Sequence, residues 1–100
     1  MEAHLKQSTN PSKKWMVQIY QKDNLLKTIH FGAKGSLDFS SGKRTEQDKE
    51  NYIKRHAVNE NWEDPFTSGF WARWLLWNKN TIPASAKDIA KRFKIKVISI

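Results

Sequence analysis

One hundred residues with a formal charge of +8, 38% apolar content and no cysteine describe one small basic domain. A disulfide framework and a thiolate zinc site are excluded, and no apolar run approaches the roughly 18 residues of a membrane span. The start, MEAHLKQSTNPSKK, lacks the apolar stretch of a secretory signal, so the protein is expected inside a cell or in a particle assembled there.

Residues 1–13 are polar, with Asn10-Pro11 and no periodicity, and read as a disordered basic arm ahead of a single domain over residues 14–100. KWMVQIY then alternates, with Trp15, Val17 and Ile19 on one side and Met16, Gln18 and Tyr20 on the other. After the turn QKDN, LLKTIHF alternates again, so the two runs predict a β-hairpin. GAKGSLDFSSGK reads as an ordered loop. Gly32 and Gly35 flank Lys34, a pattern that fits either an anion-binding nest or glycines that only turn the chain.

TEQD has the form of a capping box and predicts a helix starting at Thr45, with Tyr52, Ile53 and His56 on one face. Asn59, Asn61 and Asp64-Pro65 end it. SGFWARWLLWN follows, capped by Thr67 or Ser68. Phe70, Trp74 and Trp77 share a face, Trp71 and Leu75 lie beside them, and Leu76 fills much of the rest. A helix apolar nearly all round is a buried helix, so this segment predicts the centre of the core rather than a base-stacking surface. Arg73 is the exception, and its head must reach solvent or a carboxylate. Ser85 is expected to cap a last helix, with Asp88 at the capping-box position and Ala86, Ile89, Ala90 and Phe93 inward. Lys87, Lys91 and Lys94 make a basic stripe on its far side, with Arg92 elsewhere. The closing IKVISI predicts a third strand on an edge of the hairpin. The fold class is therefore α+β: a hairpin, then three helices around the Trp-rich one, with a short C-terminal strand.

Residues 1–44 and 65–100 carry excesses of five and six positive charges, whereas residues 45–64 carry an excess of three negative ones. A polyanion should therefore meet the two end segments. Lysines outnumber arginines fourteen to four, which favours phosphate neutralisation over bidentate reading of guanine. No homeodomain, zinc-finger, RRM or KH signature is present, so base readout is not expected. The expected contacts are Lys87, Lys91, Lys94, Arg92, Arg73, Lys34, Lys13 and Lys14.

For enzymatic chemistry the residues offer little. Arg55, His56 and Glu60 in RHAVNEN faintly resemble part of a nuclease site, but no paired carboxylates accompany them, and an inward histidine more often makes a structural hydrogen bond. There is no Walker loop, GxSxG or metal-ligand spacing, so no cofactor and no metal is expected. Trp62 and Phe66 in the loop are candidates for facing a partner chain.

HFGAKGSLDFS, YIKRHAVNENWEDPFTSGFWARWLLWNK and SAKDIAKRF together resemble a family of small basic proteins of nucleocytoplasmic large DNA viruses, over roughly residues 30–93. The resemblance implies a viral origin and a place in the virion or the viral factory of the host cell. It implies no catalytic activity. With the charge, it leads us to expect sequence-independent binding of double-stranded DNA for genome condensation or packaging, aided by self-association and without membrane contact. The alternatives are a virion assembly protein acting through protein contacts and, third, a metal-dependent nuclease.

Overall fold

The computed structural model describes residues 1–99 and shows an α+β domain. Strands β1 (Glu2–Gln7), β2 (Lys13–Gln21) and β3 (Asn24–Ala33) precede helix α1 (Glu46–His56), with a single 3-10 turn at Phe39–Ser41 between β3 and α1. A short helix α2 (Ser68–Trp71), a π-helical turn (Ala72–Leu76), helix α3 (Ile82–Phe93) and strand β4 (Lys96–Ser99) complete the chain. Ile100, the last residue of the expected third strand, lies outside the described residues.

The hairpin forms as expected. Lys22 and Asp23, at φ of 48° and 67°, make its two-residue turn, the left-handed geometry that matches strand twist. A register shift beside Ile19 and Tyr20 sets Tyr20 opposite Leu25. Val17 and Ile19 point into the core, as do Ile29 and Phe31 of β3.

Residues 2–7 are not a disordered arm. They form β1, antiparallel to β2 and parallel to β4, in the strand order β3-β2-β1-β4. Ala3 and Leu5 are fully buried beside Ile19 and Val17. Their alternation with Glu2, His4 and Lys6 is a strand pattern, but two apolar residues in six lend it little contrast. Asn10 then reverses the chain by accepting hydrogen bonds from the Ser12 backbone and hydroxyl. β4 therefore pairs with β1, not with an edge of the hairpin.

The Thr45 capping box is present in both directions, with Thr45 and Asp48 each satisfying the other's backbone N–H. The Asp48 carboxyl is held below its ordinary pKa by the Thr45 backbone N–H. Thr67 caps α2. The Trp-rich segment departs from a uniform helix: Trp77 N–H donates five residues back to the Ala72 carbonyl. This wider turn changes which faces are inward. Phe70, Trp71, Leu75 and Leu76 are buried, while Trp74 and Trp77, expected to share the inner face with Phe70, are only half-buried.

The last helix starts earlier than its capping pattern implied. Thr81 caps it, accepting from the Ala84 N–H, and Pro83 sits in the first turn. Ser85 is fully buried within the helix, and its hydroxyl accepts from the Lys79 backbone N–H instead. Lys94, at φ 59°, ends α3 and turns the chain into β4.

Candidate nucleic-acid interface

α3 buries Ser85 and Ile89 and packs Ile82, Ala86 and Phe93 against the sheet and the Trp-rich segment. Helical spacing then puts Lys87 and Lys91 on the opposite face, with Lys94 just past its end. All three are exposed, and no acid pairs with them among the described residues. The one acid of this helix, Asp88, is turned aside. It accepts from Asn78 Nδ2 and Arg92 Nε, each at 2.7 Å. Lys96 of β4 joins Lys87 along a groove between α3 and the sheet edge, floored by Leu5, Ala86 and Val97. Sequence spacing holds no sign of that neighbourhood, because it depends on β4 pairing with β1.

The remaining expected contacts are placed differently. Arg92 is paired with Asp88 and its guanidinium lies 4.8 Å from the Trp74 ring centre. Arg73 pairs with no carboxylate among the described residues and is half-buried. It donates to the Trp77 carbonyl at 2.8 Å and lies over Trp74, 4.3 Å from the ring centre, with Trp62 at 5.5 Å. Desolvation, with the charge of Arg92, lowers its pKa. Held in this way, the guanidinium ties the aromatic cluster together and is less open to a phosphate than the exposed α3 lysines.

Lys14 is likewise engaged, at 2.8 Å from the buried Asp38 carboxylate. Lys34 is exposed, but its backbone N–H donates to the Ser12 carbonyl, and the Ser36 N–H to that of Ala33. Those donors are spent, so the glycines turn the chain and do not form an anion nest. Lys13 faces a separate cleft together with Lys14. Of the expected residues, Lys87, Lys91 and Lys94 share the α3 face and Lys13 and Lys14 line this cleft, while Arg73 and Arg92 lie on the aromatic cluster and Lys34 in the glycine turn.

The cleft, of about 380 Å³, lies between the sheet end and α1. α1 is held there by stacking. Tyr52 lies parallel to Trp77 with 4.6 Å between ring centres, and against His56 at 4.3 Å. His56 in turn meets the Glu60 carboxylate at 3.5 Å. Burial, with the Glu60 charge, pushes the Tyr52 phenol up to about 12, so it stays protonated at neutral pH. Trp62 and Phe66 are half-buried, Trp62 stacked on Tyr52 and Phe66 packed against the core. Among the described residues, no group of three or more histidines and carboxylates could hold a metal ion, and no helix is long and apolar enough to cross a membrane.

Asp88 yields a pH test. Burial opposes its charge, but the hydrogen bonds from Asn78 and Arg92 outweigh burial and hold its pKa below the ordinary 3.8. Its folded pKa is therefore depressed, so its contribution is present above 3.8 and is lost as pH falls through the folded value. We expect Asp88→Asn to melt below wild type at neutral pH and the two melting temperatures to converge on acidification. A constant gap across that titration would show that the Asp88 charge contributes nothing.

The chain matches DUF5754, a family of unknown function, over residues 3–56. The match begins in β1, spans the hairpin and ends with α1, so the N-terminal strand is part of the shared region. No curated protein and no solved structure matches. With more than half of its length covered, from the first buried residue of β1 to the His56 that closes α1, the chain belongs to the DUF5754 family.

Proposed function

We propose that this protein binds double-stranded DNA without regard to sequence, through phosphate contacts from the outer face of α3. The observation that carries the reading is the row of Lys87 and Lys91 on α3 and Lys94 just past its end, exposed and paired with no acid among the described residues, on a helix fixed to the core by Ser85 and Ile89. Charges on a rigid helix lose little freedom on binding. Lysines offer compact charge without the planar fork that reads guanine, which supports neutralisation and counterion release. In this reading the Trp-rich segment is the centre of the core and stays off the DNA surface. The resemblance to small basic proteins of large DNA viruses supports a role in genome condensation or packaging, in the virion or the viral factory, where self-association multiplies the charge per particle.

Changing Lys87, Lys91 and Lys94 together to Gln keeps helix propensity nearly unchanged. The triple variant is expected to bind every duplex more weakly, by a similar factor. The slope of log K against log salt should shrink by roughly 0.9 for each phosphate that is no longer neutralised. Gel shifts on AT-rich and GC-rich duplexes across a salt series measure both. Unchanged affinity and slope would falsify the assignment to α3. Nicking of plasmid that requires an added divalent metal would replace it with a nuclease.

A further inference from the structure

The cleft beside α1 is not used by that reading, and its chemistry differs from the lysine face. Its α1 side carries a ladder of near-parallel rings, Trp77, Tyr52 and His56, with interplanar angles of 4° and 27°. The ladder ends at His56, whose side chain is 42% exposed. The floor is apolar, from Phe31, Ala72 and Leu76. Glu60, beside His56, and Lys13 also line the cleft, as do Lys14 and Asp38, which pair with each other. An adjoining groove of about 640 Å³ shares Ser36, Leu37 and Trp77 with the cleft and adds Arg44, Lys54 and Arg55. Its one acid, Asp48, is occupied by the Thr45 cap.

We propose that this cleft binds a single nucleotide unit, its base continuing the Trp77–Tyr52–His56 stack and its phosphate lying toward Lys54, Arg55 and Lys13. The arrangement of charge selects this class. The Glu60 carboxylate, 3.5 Å from His56, repels an anion from that end of the ring ladder and accepts from the amino or ring N–H of a base stacked there. Lys54 and Arg55 line the adjoining groove, which shares Trp77 with the cleft, so an anionic substituent of that base meets positive charge there. A simple phosphate or carboxylate leaves the rings unused, and an uncharged ring leaves the cations unused. The volume falls within the roughly 300–1,000 Å³ of small-molecule sites, whereas a duplex, whose bases are already stacked on each other, presents no free ring face. The ligand is therefore a free nucleotide or an unpaired nucleotide of a single strand, and the site is independent of the α3 lysines.

Titration of the full chain with adenosine monophosphate, and separately with a short oligo(dA) single strand, tests this. It is followed by tryptophan fluorescence and by NMR of the Tyr52, His56 and Trp77 rings. Ring shifts are expected with at least one of the two. Equal affinity for both identifies a free nucleotide, and markedly tighter binding of the strand identifies single-stranded nucleic acid. His56→Ala, which removes the last ring of the ladder, should weaken binding by roughly tenfold or more. Arg55→Gln, on the exposed side of α1, should weaken it severalfold and reduce its salt dependence. The triple α3 variant should bind the nucleotide like wild type while binding duplex more weakly, so the two sites fail separately. The proposal is overturned if neither probe moves the three rings, if duplex alone moves them, or if His56→Ala and Arg55→Gln both bind like wild type.

Discussion

Trp71→Ala is expected to cost about 3–5 kcal/mol, the range for emptying a large aromatic site in a packed core. That is a large part of the roughly 5–15 kcal/mol that holds a domain together, so the variant should melt far below wild type or fail to fold. Trp71 is fully buried between Phe31 and Phe70, with ring centres at 6.4 and 5.1 Å. Its indole N–H donates to the Pro65 carbonyl at 2.7 Å, tying the loop before α2 to the core. Alanine removes that donor as well as the ring. Trp74→Ala should cost less, because Trp74 is half-buried and packs against Phe93 and Arg73 nearer the surface. Thermal and urea melting of both variants, without nucleic acid, gives the order. If Trp74→Ala proved the more damaging, the inner face would be the one an unbroken helix predicts, and the π-helical turn at Ala72–Leu76 would be refuted.

Deleting residues 1–7 should abolish folding. β1 lies between β2 and β4, so its removal takes a backbone hydrogen-bonding partner from each. It also strips Ala3 and Leu5 from the core and exposes Val17 and Ile19 beside them. β4 would have no strand left to join. Circular dichroism should show a large drop in ordered structure and no cooperative melt. A truncated chain that melted at the full-length temperature would mean that these residues are the arm that their composition implied. Because truncation unfolds the domain, it cannot report on where DNA binds. Lys6→Gln, which leaves β1 in place, isolates the contribution of this segment's charge.

Local patterns suffice wherever the chain settles its own structure. The β2–β3 hairpin is legible because both strands alternate and Lys22-Asp23 closes a two-residue turn. α1 is legible because Thr45 and Asp48 satisfy each other within one turn. The basic face of α3 follows from helical spacing alone, although Ser85 misleads on its start: the same hydroxyl that suits a cap also suits a buried acceptor, and Lys79 decides between them. Features that require distant partners are not legible. Glu2–Gln7 is a strand because β2 and β4 flank it, and its own six residues carry too few apolar side chains to show that. Spacing sends Arg73 toward water or an acid, yet the rings of Trp62 and Trp74 and the Trp77 carbonyl hold it inside. The cleft arises from α1, the sheet end and the Trp-rich segment meeting through stacked rings. Composition and periodicity report which residues prefer burial or water, since each depends on one side chain and its near neighbours. Which cations remain free, and which rings face one another, depends on contacts between segments far apart in the chain, and only the tertiary structure decides those.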